Sequence, residues 1–575
     1  MSNSGAARWI RKTLWRYRSC YLESMAATIL TNFLTLATIF FTMNVYNRVV
    51  PTQAYASLWT LALGTAVAII FEFAMRLLKA RLVDLAGKHA DLEINALLLR
   101  ELFSIRLENR PQSVGAFASS MRDFEALRDF FSSASLVLIA DLPFAALFIF
   151  LIWYVGGPLV FIPLCSIPIL LLAGLFCQPN LTKIVQKNMM QSSDRHAVLV
   201  EVLQNLEFLK ANNALAYLQH RWDSANASVA ETFQKIRGVS SFITGFNTLV
   251  QQFTTVGLVV LGVYLIHRDG LSLGGLIAVV MLAGRAVTPF SNIMSLAVRY
   301  QQAKQALDTL DHLLQTPRER DASVQLIDPS FLRGAICAQN LSFSYPTGSS
   351  AFAIDNVSLA VQQGERIALV GKVGSGKSTL LRLMAGLYTP ASGLVTLDDV
   401  DFRQLNAEVF RERIAYIGHD PQLFKGTLRN NLRLNRQDIT DQAIFVVLDQ
   451  LGLTNFVSKH PRGLDLPLSE AGKGVSDGLR QLIAIARMLL RDPNLIFLDE
   501  PTAHMDPHTQ DRVVKVLAPW FKGRTVLLST HRHELLSWID RVVVLEDARI
   551  FSDRPKEEVL ARLARRPVSP SAGSV

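Results

Sequence analysis

Gly371, Lys372, Val373, Gly374, Ser375, Gly376, Lys377, Ser378 and Thr379 fit G-x-x-x-x-G-K-[ST], the spacing of a phosphate loop. An apolar, strand-like run at 366–370 leads into it, and a helix-like stretch at 379–387 leads out. The glycines let the backbone turn tightly, so successive N–H groups can face phosphate oxygens at a helix N-terminus. Lys377 would reach the outer phosphates, and the Ser378 hydroxyl would ligate Mg²⁺. A Gly-rich turn between strand and helix is common by itself. Strand, lysine and hydroxyl together predict binding of a nucleoside triphosphate.

Four further elements carry matching chemistry. Residues 495–500 form an apolar strand ending in Asp499 and Glu500. Asp499 would hold Mg²⁺ through water, and Glu500 would polarise the attacking water as general base. His531 follows a second strand-like run, 526–529, where an imidazole could contact the γ-phosphate. Tyr345, in Phe343-Ser344-Tyr345-Pro346, is placed to stack on adenine. Val475-Ser476-Asp477-Gly478-Leu479-Arg480-Gln481 opens a helix that runs on through Ala484 and Arg487.

The elements that must position these groups fill only the second half of the chain. At 575 residues, two or three domains are expected. Up to about residue 300 there are long uncharged runs; beyond it the pattern is that of a soluble α/β protein. Six runs, 25–46, 54–78, 131–154, 158–177, 242–266 and 271–290, are each long enough to cross a bilayer core of about 30 Å. One buried soluble helix could mimic such a run, but hardly six. No cleavable signal peptide is expected, because Arg8, Arg11, Lys12, Arg16 and Arg18 lack a following small-residue cleavage site.

Between the second and third runs lie Arg76, Lys79, Arg81, Lys88, Arg100, Arg106, Arg110, Arg122 and Arg128. The turns at 47–53 and 267–270 hold one arginine each, Arg48 and Arg268. That asymmetry predicts a multi-pass inner-membrane protein with both termini and both long loops in the cytoplasm. Membrane topology then accounts for the net charge of +10. A nucleic-acid partner is not expected, since no basic face is interleaved with stacking aromatics. Cys20, Cys165, Cys177 and Cys337 have no metal-ligand spacing; two fall within predicted spans and read as small apolar residues in a reduced setting.

The loops at 79–108 and 180–238 show helical spacing of apolar positions, so they read as spans prolonged into the cytoplasm. The expected organisation is multi-domain. A basic cytoplasmic segment (1–24) precedes an all-α six-helix transmembrane domain (25–315). A linker (316–334), an α/β phosphate-loop domain (335–563) and a Ser/Pro-rich disordered tail (564–575) follow. No internal repeat is present, so the chain reads as half of a symmetric machine. Charges within spans are costly facing lipid. Glu72 and Arg76 can pair at i,i+4; Asp141 could stabilise a kink before Pro143; Arg285 suits a substrate pathway and a bundle lock equally.

Together the motifs resemble the ATP-binding cassette of ABC transporters across nearly all of 335–555. The resemblance implies an α/β cassette with ATP and Mg²⁺, Tyr345 as the adenine-stacking residue, and Asp506 as the acid of the loop after the second carboxylate. Glu470 sits where exporters carry a coupling glutamate. It also implies a dimer, each ATP trapped between one phosphate loop and the partner's signature segment, with Ser476 and Gly478 offering a hydroxyl and an N–H.

Three places depart from the family. Asp477 and Leu479 stand in a signature that normally reads Leu-Ser-Gly-Gly-Gln, His419 stands where glutamine is usual, and His504 where alanine is usual. An Asp477 carboxylate about 5 Å from a γ-phosphate, at an effective dielectric near 20, would be repelled by roughly 3 kcal/mol. Alternatively, Asp477 points outward on the first turn and only favours the helix dipole. The departures leave nucleotide binding untouched and put the hydrolysis rate and its coupling in question.

Asn44 to Pro51, Arg110-Pro111 with Gly115-Ala116-Phe117, 124–128, Asp141-Leu142-Pro143-Phe144, and 275–289 look like the type 1 secretion exporters that move large repeat-containing adhesins and toxins. This likeness implies a periplasmic adaptor, an outer-membrane channel and an exported protein as partners. With about 24 residues before the first run, no N-terminal peptidase-like domain is expected, and a C-terminal secretion signal on the cargo is the expected address. A homodimer is favoured, because such exporters assemble from one gene; a heterodimer would pair the altered signature with a normal one. An exporter of lipid or small molecules, and an ATP-binding regulatory subunit with weak hydrolysis, are the alternatives.

Overall fold

A computed structural model describes residues 15, 16, 18–110, 113, 115, 117, 135–268, 270–319, 326–328, 333–346 and 352–559. The basic segment before residue 15, Arg122, Arg128, the opening of the third predicted span at 131–134, and the tail 564–575 lie outside the described residues. Two compact units result: Met1–Phe103 with Pro111–Thr316, and Ser104–Arg110 with Pro317–Val575.

The first unit is helical: α1 (Arg18–Asn44), α2 (Tyr55–Ser104), α3 (Ser135–Gly156), α4 (Phe161–Gln204), α5 (Leu215–His267) and α6 (Leu273–Gln315). Among the described residues, five stretches, where the sequence predicts six spans, are long and apolar enough to cross a membrane: Arg18–Thr52, Tyr55–Ser104, Asp141–Gln204, Leu215–His267 and Leu273–Ser291. Asp141–Gln204 carries the third and fourth predicted spans as one stretch, because a single 3₁₀ turn, Gly157–Val160, joins α3 to α4. Ile39, Phe148, Ile152, Leu258, Leu276 and Leu282 form a core shared by α1, α3, α5 and α6.

Two hydrogen bonds join polar groups of neighbouring helices, the kind of partner a non-aqueous surrounding favours. Asp141 accepts from Asn32 Nδ2 of α1 at 2.9 Å, so it ties two helices together rather than serving its own kink. Ser166 of α4 and Thr254 of α5 share a hydrogen bond of 2.6 Å. Glu72 and Arg76 pair along α2, and Arg285 is exposed. After Asn44 the first helix ends in a π-helical turn, Val45–Val49, and Asn47 Oδ1 there accepts from the Gly274 N–H at the start of α6, 2.8 Å away.

The second unit contains two principal sheets. One has four strands in the order β2-β1-β4-β5, with β1 Ile336–Phe343, β2 Ile354–Val361, β4 Ser392–Leu397 and β5 Val400–Asp401. The other is built from β3 (Arg366–Val370), β6 (Ile414–Ile417), β7 (Leu495–Asp499), β8 (Thr525–Ser529), β9 (Arg541–Glu546) and β10 (Arg549–Pro555). Its order is β10-β9-β3-β8-β7-β6, parallel except for the antiparallel edge strand β10. Every residue of β7 and β8 is buried, as expected of central parallel strands covered on both faces. Helices α7 (Lys377–Met384), α8 (Asp477–Arg491) and α9 (Pro507–Trp520) supply the covering layers.

Ser104–Arg110, expected at the end of the prolonged second span, clusters with this second unit. Ile105 bridges Arg318, the Glu319 N–H donates to Ser104 O at 2.7 Å, and Glu319 pairs with Arg411. Part of the predicted linker is held as well: Ile327 donates to Gln404 O and accepts from the Asn406 N–H.

Candidate functional site

In an open parallel sheet, ligands bind in the crevice beyond the carboxyl ends of the strands. Strand register makes that crevice here. Ser529 of β8 lies opposite both Leu369 of β3 and Asp499 of β7. The loop leaving β3, the carboxylates ending β7 and the histidine following β8 therefore emerge side by side. On the far flank Ile417 lies opposite Leu498, so His419 leaves β6 beside the same carboxylates.

The phosphate loop is shaped by its glycines. Gly374 has φ +84° and Gly376 has φ +100°, left-handed conformations that side chains resist. A Cβ on Gly371 would lie 2.2 Å from Leu545 O, so a larger residue cannot be accommodated there. Ser378 and Thr379 stand in the first turn of α7. The Lys377 ammonium donates to Gly371 O at 2.8 Å and Lys372 O at 2.9 Å, curling the loop around itself. Burial pushes the Lys377 amine below its ordinary value, against the opposing pull of Glu500 and Asp499.

The carboxylate pair is held under constraint. Glu500 has φ +50°, a conformation costing a non-glycine residue about 1–3 kcal/mol that surrounding structure must enforce. Its N–H donates to Ser529 O at 3.0 Å, and its carbonyl accepts from Gln481 Nε2 at 2.8 Å. His531 Nε2 lies 3.6 Å from Glu500 Oε1. Among the described residues, the buried Ser375 Oγ, Asp499 Oδ2, Glu500 Oε1 and Ser529 Oγ have no hydrogen-bond partner. Unpaired buried oxygens are costly unless a ligand meets them. Two ionisable acids, two hydroxyls and a buried lysine suit a metal-bound phosphate chain.

Tyr345 is 36 % exposed, edge-on to Phe343 and Tyr388 at 5.2 and 6.0 Å between centroids. Its hydroxyl shares a hydrogen bond of 2.9 Å with the Thr379 hydroxyl, which joins the aromatic platform to the phosphate loop.

The signature residues form a separate group. Ser476 caps α8, its hydroxyl accepting from the Leu479 N–H at 3.4 Å, and a Cβ on Gly478 would lie 2.8 Å from His504 O. Among the described residues no hydrogen bond or ion pair joins Ser476 or Gly478 to the loop Gly371–Thr379. Asp477 is paired with Arg480 on its own helix, which holds its carboxyl below the usual carboxylate range. Asp506 caps α9, accepting from the Thr509 N–H at 3.0 Å, and Glu470 is exposed at the head of a 3₁₀ turn, Glu470–Gly472.

Two further residues matter that the sequence reading passed over. Gln481 is fully buried, donating to Glu500 O and accepting from the His504 N–H, so it fixes the general-base candidate from α8. Arg480 bridges Asp477 and Asp420. Both lie inside the quoted 475–481 segment. A buried polar position in an otherwise apolar helix face was the available signal for Gln481.

Comparison with known proteins covers both units. The family model of the ABC transporter transmembrane region matches residues 21–290, and that of the ABC transporter matches 354–503. The chain is similar to the leukotoxin translocation ATP-binding protein LktB of Mannheimia haemolytica, 28% identical over 555 residues, 96% of this chain and 78% of that one. The LktB of Bibersteinia trehalosi matches to the same extent, 28% over 555 residues. Among solved structures, a bacterial Atm1-family ABC exporter with ATP bound superposes with a TM-score of 0.84 at 20% identity, covering 97% of this chain and 99% of that one. At that identity the likeness is one of fold.

Proposed function

We propose, from the premise that this chain is an ABC transporter with transmembrane and ATP-binding regions that hydrolyses ATP, that it is the ATPase and permease of a type 1 secretion system. The observation that carries this reading is the extent of the likeness to the leukotoxin translocator, which runs through 96% of the chain and so includes the helices that would meet the cargo. The cargo class is a large protein, repeat-containing and addressed by a C-terminal signal. Two copies of the chain would sit in the bacterial inner membrane with both termini in the cytoplasm. A periplasmic adaptor and an outer-membrane channel would complete the conduit.

In this reading ATP lies between the phosphate loop of one copy and Ser476 and Gly478 of the other. Tyr345 stacks on adenine, and Lys377 releases the loop carbonyls to meet the outer phosphates. Ser378 and Asp499 would hold Mg²⁺, which offsets phosphate charge when bound. Glu500 takes a proton from the attacking water, and His531 contacts the γ-phosphate beside it. His419 borders the same carboxylates.

Export of a lipid or small molecule is the second reading, because transmembrane helices joined to one ATP-binding region serve that cargo class as well, and the fold likeness to an exporter does not separate the two. Deleting the gene and comparing secreted proteins separates the two. Loss of one large secreted protein supports the first; an unchanged secreted set with altered envelope lipids or small-molecule tolerance supports the second. The presence of Lys377, Asp499, Glu500 and His531 together argues against a purely regulatory subunit.

A further inference from the structure

His419, Asp477 and His504, three departures from the family pattern, are scattered in the sequence but belong to one cluster. The His419 and His504 rings lie 5.1 Å apart, tilted by 49°. Asp420, the neighbour of His419, pairs with Arg480 at 3.1 Å, and the same guanidinium holds Asp477 one turn back on α8. The Arg480 side chain is 19% exposed, against 62% for Asp420 and 57% for Asp477. One half-buried cation thus gathers two exposed carboxylates, using a planar fork whose donors fit two acceptors at once.

We propose that Arg480 is a positioning residue for ATP hydrolysis, holding the Asp477 carboxylate back along α8 toward Asp420 so that the signature segment can approach a triphosphate. This inference rests on the two-copy reading above. Asp477 occupies the first position of α8, between Ser476 and Gly478. Freed from Arg480, its carboxylate could swing toward whatever Ser476 and Gly478 approach. A Cβ on Gly478 would lie 2.8 Å from His504 O, so the backbone there packs closely and has little room on that side. Only the side chain can turn away, and Arg480 turns it.

The test uses the full chain, purified in detergent or nanodiscs. Arg480→Gln should raise the KM for ATP at least about fivefold, a modest share of the repulsion between like charges a few ångström apart. It should also weaken the ATP-trapped dimer formed in a Glu500→Gln background. Adding Asp477→Gly should return KM to within about twofold of wild type, which a purely structural role for Arg480 would not allow. If Arg480→Gln does not fold, Arg480→Lys keeps the charge without the fork, and the same rescue is read on it. A defect that Asp477→Gly leaves unrepaired, or no defect in a sample that forms the trapped dimer, overturns the inference. A Glu500→Gln protein that binds a fluorescent ATP analogue yet never dimerises would instead overturn the two-copy reading, and this inference with it.

Discussion

His531 Nε2 lies 3.6 Å from Glu500 Oε1, although the two residues end different strands. The parallel pairing of β7 with β8, Asp499 opposite Ser529, carries each side chain to the same edge of the sheet. Glu500 is held in a left-handed conformation by Ser529 and Gln481, so its carboxylate is aimed by the backbone, with Oε1 left unpaired beside the imidazole.

If Glu500 activates water, Glu500→Gln should keep ATP binding, trap a nucleotide-bridged dimer and lose hydrolysis by about 10²–10⁴-fold. Phosphate release and size-exclusion chromatography with ATP check it. Hydrolysis near the wild-type rate would remove Glu500 from the role of base.

His531→Ala should lower kcat by about 10²–10³-fold while leaving KM close to wild type, the pattern of an interaction made mainly in the transition state. Steady-state kinetics read the split. An unchanged kcat would mean the imidazole only packs against Glu500.

Lys377 predicts a pH dependence. Burial lowers its pKa in the unliganded protein, and a bound triphosphate favours the protonated amine. Nucleotide affinity should therefore be constant while Lys377 is charged. It should fall as pH rises through the depressed value, beginning below the ordinary lysine range of about 10.4. Fluorescent-nucleotide titrations between about pH 8 and 10 measure the slope. Lys377→Ala should cost about tenfold or more in affinity and flatten the slope. A slope that survives the substitution would belong to another group.

Membrane orientation is checked by thiol labelling in a background without Cys20, Cys165, Cys177 and Cys337. Cysteines at Thr52 and Gly270, both exposed at helix ends, should react with an impermeant reagent once the outer membrane is permeabilised. One at Asn213, exposed between α4 and α5, should react only after the inner membrane is opened. The reverse pattern would invert the topology drawn from Arg and Lys placement.

The turn of the phosphate loop, the strand ending at Asp499 beside Glu500, and the apolar helices were legible because each depends on residues adjacent in the chain. A glycine turn before a lysine, or an unbroken apolar run, has few physical solutions. What faces what was decided by the tertiary structure. A carboxylate on the first turn of a helix can point either way; Asp477 is drawn to Arg480, and Arg480 is fixed by Asp420, which arrives from the end of β6. Asp141, which could have served its own kink, is claimed by Asn32 of another helix. His419 meets His504 only because β6 pairs with β7 at the sheet edge. Strand order and helix packing place such partners, and no local spacing encodes them, since the energy that selects the pairing comes from the whole core burying at once.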